Sequence, residues 1–431
     1  MPPRSKSAAR TVCALKDGAA VARKTTSSSS ARGAEHDERS RYVERASITI
    51  RDTEMDAAIA RFAGLADIAQ QMSLALEIAS TRQAELTIAY RNVVSVAAGF
   101  RQHGDAQLTL EPCVIFVVRK KWLARRRVQQ ALPRHLLTYA DLGGVRKVVA
   151  VPTDVQVEPL YLHIRPQGAS AVTVDNGNER GTGALTCMVE LSGGDAEPRR
   201  MLMSALHVLS ISVDTDAEQL PSRARVVRRN VAQSEGMHLA LSTSAGGRFA
   251  TGGDLGFDVQ LAEPIAEAMH GVSEMLGDLF FQENQPFVTT FQQLIQLVQQ
   301  GLALEMMVPS NHDSFAGEPR PSVAVRLRSL KLRSVPISYV FKVNGQFGEW
   351  PMLHAELLEF ELLGGASTLP GDSGCAVVCW LDEQRCCLVG MHIAGDVQQG
   401  LSYVIPAWQL FDVSNYFGSL GEVTRLSCVR V

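Results

Sequence analysis

The chain has 431 residues, 46% of them hydrophobic and 20% charged, with a net charge of −3. This is the composition of a folded, soluble protein with two or three cores, and its near-neutral charge singles out neither nucleic acid nor an anionic membrane as a partner. The eight cysteines (Cys13, Cys113, Cys187, Cys375, Cys379, Cys386, Cys387 and Cys428) form no CxxC pair, so no metal and no cofactor is expected. Several lie in apolar strand-like runs, where a free thiol behaves as a small buried hydrophobe. The start has no hydrophobic signal core and no apolar run is long enough to span a bilayer, which makes a reducing cytoplasm the simplest location.

Residues 1–46 read as a disordered, basic, Ser-rich leader, with ten Lys or Arg against five Asp or Glu and the run Ser27 to Ser30. A solvated segment is favoured over a nucleic-acid or membrane tether. Residues 47–90 turn helical: Thr53 and Asp56 form a capping pair, and Ile59, Phe62, Ala66, Ala69, Met72, Leu76 and Ala79 recur at three- and four-residue steps. This stripe is expected to dock on the same chain. Residues 91–165 read as a small α/β module with strands over 92–99, 113–118 and 145–155 and a turn at Gly104-Asp105. Its basic segment, Arg119 to Arg127, is better read as the exposed face of a short helix than as a phosphate grip.

Residues 166–431 carry the chemistry. A strand over 181–191 comes first, then His207 in Met203-Ser-Ala-Leu-His-Val-Leu209 and Asp258 in the alternating run Phe257-Asp-Val-Gln-Leu261. A helical linker follows over about 266–310. Within it, Thr290 to Gly301 is an amphipathic helix with a glycine stop, its apolar face made by Phe291, Leu294, Ile295 and Val298. Ser373 stands in Pro370-Gly371-Asp372-Ser373-Gly374-Cys375, ahead of strands over 375–380, 387–395 and 402–406. A serine hydroxyl is a poor nucleophile at neutral pH, so a histidine must take its proton and an acid must hold the histidine's tautomer. Asp258 is preferred to Asp254 as that acid because of its strand-like setting. Gly371 lets the backbone turn so that the amides of Gly371 and Ser373 converge on a developing oxyanion.

The order His207, Asp258, Ser373, with these flanks, resembles that of the trypsin-like (chymotrypsin-fold) serine peptidases, in particular bacterial intracellular members with an amino-terminal accessory module. The resemblance covers roughly residues 176–420. It implies a mainly β double barrel preceded by a helix and a small α/β module, and a serine endopeptidase acting on protein or peptide through an acyl-enzyme. It also implies a strand at Ile393 to Gly395 that pairs with an extended substrate, and room for a regulatory partner on residues 1–165. The family's pocket floor falls at Ser367, and Thr368 and His392 resemble the carboxylate-binding pair of bacterial glutamyl endopeptidases. The plainer alternative keeps His392 as a packed strand residue beside a neutral pocket. Ile393 replaces the serine that supports the triad acid in animal trypsins, so Asp258 needs another partner. No Arg-Ile-Val-Gly-Gly-like activation site precedes Gly181. A catalytically silent peptide binder and a serine esterase are the competing readings.

Overall fold

Period-two alternation and short apolar runs dictate strands along most of the chain. The computed structural model describes residues 50–429 apart from segments between or at the edges of elements, the longest being 119–131, 158–171, 229–236 and 309–321. The leader, the Gly104-Asp105 turn and the basic segment 119–127 therefore lie outside the described residues.

The expected helix is two helices, α1 (Asp52–Ala63) and α2 (Ile68–Ala89). α1 begins at Asp52, two residues earlier than a Thr53 cap allows, with Arg51 as its cap, and the Glu54 carboxylate accepts from the Arg51 amide at 3.3 Å. The break follows Gly64, and Asp67 caps α2 by accepting from the Ala69 amide at 2.9 Å. Ala66, in the break, is exposed, while Leu74, Ala75 and Ile78 join Ala69, Met72 and Ala79 on the buried face. Four strands follow: β1 (Val93–His103), β2 (Gln107–Val118), β3 (His135–Asp141) and β4 (Arg146–Val157). β2 is antiparallel to β1 and parallel to β4, and β3 closes the layer antiparallel to β4.

The next strands are β5 (Val172–Asp175), β6 (Arg180–Gly183), β7 (Cys187–Ser192) and β8 (Arg199–Ser204). The single strand expected over 181–191 is thus split between β6 and β7. Helix α3 (Leu206–Leu209) leads to β9 (Ser212–Val213), β10 (Arg225–Arg228), β11 (Met237–Gly246), β12 (Leu255–Gly256) and β13 (Gln260–Pro264). An eight-stranded sheet runs from the chain's last strand through β7, β8, β13, β11, β10 and β5 to β6.

The linker holds α4 (Met269–Leu276), β14 (Phe280–Phe281) and α5 (Phe291–Gln299). Thr290 caps α5 by accepting from the Gln293 amide, and Gly301 ends it with φ 76°. Phe291, Leu294 and Ile295 are buried in the core that also holds α2, with Val298 packed at its edge.

The second half comprises β15 (Leu304–Met306), β16 (Val323–Leu332), β17 (Ile337–Val343), β18 (Gln346–His354), β19 (Glu356–Leu362), β20 (Ala376–Trp380), β21 (Arg385–Asp396), β22 (Leu401–Pro406) and, after the four-residue α6 (Ala407–Leu410), β23 (Arg425–Val429). β15, β20, β21, β22, β19 and β16 pair in that order, and β16 pairs back to β15, closing a six-stranded barrel. The chain is mainly β, as its patterning implies, with one closed six-stranded barrel in its second half. Closure leaves this barrel no free edge in its ring.

Two relationships are not legible locally. β1 joins the barrel, pairing Ala97 to Gly99 with Lys331 to Ser329 of β16, so the leading layer and the barrel share one sheet. β17 and β18 form a hairpin over Asn344-Gly345, both at positive φ as a two-residue hairpin turn requires. The hairpin stands apart from the barrel, in a four-stranded sheet ordered β12-β18-β17-β9. The seven described cysteines are all buried. No helix among the described residues is long and apolar enough to cross a membrane.

Candidate active site

α3 begins two residues after β8 ends and carries His207 at its second position. Asp258 lies in the short stretch between β12 and β13 rather than inside a strand, and is 1% exposed. Its carboxylate takes two bonds from one residue: Oδ1 accepts from the His207 amide at 3.0 Å, and Oδ2 lies 2.7 Å from His207 Nδ1. Burial alone would raise the Asp258 carboxyl, but the charge and hydrogen bonds of His207 outweigh it and hold the group below the usual carboxylate range. An ionised carboxylate only accepts, so Nδ1 carries a proton, and in the neutral imidazole Nε2 is the nitrogen with the lone pair. That Nε2 is buried with no hydrogen-bond partner among the described residues. Asp254, the competing acid, is exposed.

The Ser373 turn is fixed by its own backbone. Gly371 and Gly374 have φ of 98° and 93°, conformations that side chains rarely adopt. The Asp372 carboxylate accepts from the Leu369 amide at 2.7 Å, and the Gly374 amide donates to the His392 carbonyl at 2.8 Å. Among the described residues nothing accepts from the amides of Gly371 and Ser373. Gly183 sits between this turn and α3: a Cβ there would lie 2.3 Å from Val208 and 2.7 Å from the Ser373 carbonyl oxygen. The turn and the helix of His207 thereby both close on Gly183. The Ser373 hydroxyl itself donates to the Ile393 carbonyl at 3.3 Å and not to His207.

The other expected site residues gather beside the turn. Thr368 is buried and lies over Gly395, where any Cβ would strike it. His392 is buried, with Nδ1 2.8 Å from Ser402 Oγ. Ser367 is half-buried. β20 begins at Ala376, opposite Met391, so among the described residues the stretch Ile393 to Gly395 of β21 is paired by β22 alone, with a bulge at Ile393.

The hairpin supplies two residues that the sequence reading did not single out. Tyr339 of β17 and His354 of β18 are both buried, the Tyr339 hydroxyl lies 2.8 Å from His354 Nε2, and both side chains feel the charge of Asp258. The Tyr339 ring stands 5.1 Å from the His207 ring and meets Phe249 edge-on at 5.8 Å. Burial, then the Asp258 charge, pushes the Tyr339 hydroxyl well above its ordinary value. Burial pulls the His354 imidazole down to about 4, so it is neutral near pH 7. The only signal in the sequence was negative: Ile393 where a supporting serine would stand.

No family model matches the chain, and no curated protein matches it. Among solved structures, the NS6 protease of murine norovirus 1 aligns over 50% of this chain and 88% of its own, at 14% identity and a TM-score of 0.23. An inactive murine norovirus NS6 protease with a C-terminal extension aligns over 54% and 91%, at 15% identity and a TM-score of 0.24.

Proposed function

We propose that this chain is a serine endopeptidase working through His207, Asp258 and Ser373. The observation that carries the reading is the 2.7 Å bond from His207 Nδ1 to the buried Asp258, which leaves Nε2, without a partner among the described residues, to serve as the base for Ser373. An extended peptide adding along the one-sided stretch of β21 donates to the Ile393 carbonyl and displaces the Ser373 hydroxyl, which turns to His207 Nε2. As Oγ bonds to the scissile carbonyl carbon its proton passes to Nε2, and the oxyanion is met by the amides of Gly371 and Ser373. The imidazolium then protonates the leaving amine as the C–N bond breaks. Water opens the acyl-enzyme with the same proton transfers reversed. Asp258 stays ionised throughout, holding the tautomer and balancing the imidazolium.

In the substrate pocket, Thr368 and His392 supply a hydroxyl and an imidazole to a side chain that would otherwise lose water uncompensated, which favours Glu or Gln over Lys or Arg before the cleaved bond. A fluorophosphonate probe tests the chemistry. Labelling mapped to Ser373, lost in Ser373→Ala and in His207→Ala, supports it. An unlabelled, folded wild-type chain that still binds peptides instead makes it a silent binder.

A further inference from the structure

Two segments that carry the proposed triad are held by the same hairpin. Lys342 and Val343, at the end of β17, pair in parallel with Ser212 and Val213 of β9, which follow the helix of His207. Leu353 and His354, at the end of β18, pair in parallel with Leu255 and Gly256 of β12, which precede Asp258. The fit at β12 is close: a Cβ on Gly256 would lie 2.2 Å from Met352 Sδ. The hairpin thus pins the histidine segment along one edge and the aspartate segment along the other, and its buried interior places Tyr339 and His354 against the acid.

We infer that Tyr339 and His354 are positioning residues for Asp258, forming a neutral hydrogen-bonded chain that steadies its carboxylate beside His207. The inference rests on the triad reading above. The direction of the chain follows from donor counting. Asp258 only accepts, so the single Tyr339 hydroxyl proton goes to it. The Tyr339 oxygen must then accept from His354 Nε2, which fixes His354 in its Nε2–H tautomer. No net charge is added, so Asp258 keeps its full charge for His207 while its orientation is fixed by donors from two elements. The titratable groups packed around Asp258 are His207 of α3, Tyr339 of β17 and His354 of β18, while Asp254 on the neighbouring loop is exposed.

Tyr339→Phe tests this, because it removes the hydroxyl and keeps the ring against His207 and Phe249. A lost hydrogen bond to a buried charge predicts a fall in kcat on the order of ten- to a hundred-fold, with KM changed less than about twofold. With one donor gone, the carboxylate stabilises the imidazolium more, and the acidic limb of kcat/KM moves to higher pH. His354→Leu is expected to reproduce both effects more weakly, and His354→Gln, which keeps an N–H donor, to restore kcat. The low-field proton resonance of the His207–Asp258 hydrogen bond is followed in the same variants and needs no activity. A resonance and a limb that both stay put in Tyr339→Phe overturn the inference. If Tyr339→Phe does not fold, equal behaviour of His354→Leu and His354→Gln overturns it instead. An inactive wild type whose resonance still moves in the variants would retain the buttress and reject the peptidase reading alone.

Discussion

The amide of Ala184 donates to the carbonyl oxygen of Ser373 at 2.7 Å, so the segment after β6 is bonded directly to the residue presented just ahead of β20 of the six-stranded barrel. Thr186 adds a second stitch from its hydroxyl to the Gly374 carbonyl at 2.8 Å. The join leaves no space: a Cβ on Gly374 would lie 2.1 Å from the Ala184 carbonyl oxygen and 2.6 Å from Ser204 Oγ, at a φ of 93°. Gly374→Ala is therefore expected to cost more than the roughly 1–3 kcal/mol of backbone strain alone, and to abolish probe labelling. Gly400→Ala is the control, since at φ 63° its Cβ has only one contact, at 3.5 Å. It should cost about 1 kcal/mol and keep labelling. Urea midpoints and labelling of both variants check this.

Turnover should separate the three proposed catalytic residues by role. Ser373→Ala and His207→Ala each remove the proton-transfer unit and are expected to lower kcat roughly a million-fold. Asp258→Asn keeps the shape but favours the wrong tautomer, for a loss on the order of ten-thousand-fold. Asp254→Asn, on an exposed side chain, should turn over within about twofold of wild type. A dead Asp254→Asn beside a healthy Asp258→Asn would reassign the acid.

What the sequence disclosed was local in origin. The strands β20, β21 and β22 and the helix α5 announce themselves by apolar runs between Gly, Asp and Pro, and by a Thr cap with a Gly stop. His207 and Asp258 could be paired from their flanks, although Asp258 sits just outside the strand expected to hold it. Long-range registry left no such mark. Nothing in Val93 to His103 says that Ala97 will face Lys331, more than two hundred residues on. Tyr339 and His354 read as ordinary members of an alternating hairpin, and only the tertiary clamp on β9 and β12 brings them to Asp258. The helix break was present in Gly64 and Asp67, but the three- and four-residue apolar rhythm ran across it and concealed it.

That registry makes the leading layer structural. α2 and β1 share a core with β16 and α5, and Gly99 has no room for a Cβ beside the Arg328 carbonyl oxygen, 2.4 Å away. Removing residues 1–165 strips β1 from β16 and exposes Leu330 and Leu332 on the barrel. A chain starting near Asp175 is expected to be insoluble or to unfold at much lower urea, and co-expression of residues 50–165 to rescue it. A soluble, labelled fragment would mark the layer as an independent module.

The same junction buries a charge pair. Lys331 Nζ lies 3.1 Å from Glu359 Oε2, which also accepts from the Tyr403 hydroxyl at 3.1 Å, and both charged residues are 2% exposed. Burial alone would raise the Glu359 carboxyl, but Lys331 and then Arg328 outweigh it and hold it below the ordinary glutamate value. A folded value below the unfolded one means that this contribution is complete above the unfolded value and is lost as pH falls through the folded one. Lys331→Met leaves the buried carboxylate with only the longer Arg328 pair, at 3.7 Å, and should cost up to about 3–5 kcal/mol near neutral pH. Its deficit should shrink as the medium is acidified below the glutamate range. Chemical denaturation across that range measures it, and a deficit independent of pH would reject the assignment.

The last expectation concerns what the cleft accepts. Thr368 and His392 are buried beside the Ser373 turn, and His392 is oriented by Ser402 through its Nδ1. A buried imidazole and hydroxyl give a substrate carboxylate or amide the hydrogen bonds it gives up on leaving water, and they offer an ammonium or guanidinium no negative partner. A peptide library should therefore be cut after Glu or Gln and not after Lys or Arg. His392→Ala should lower kcat/KM for those substrates roughly a hundred-fold while leaving reaction with the fluorophosphonate probe near wild type, because the probe does not use the pocket. Ser402→Ala, which removes the partner of Nδ1, should cost less and in the same direction. A cleavage preference for Leu or Phe, indifferent to His392, would make that histidine a packed strand residue and leave the triad untouched.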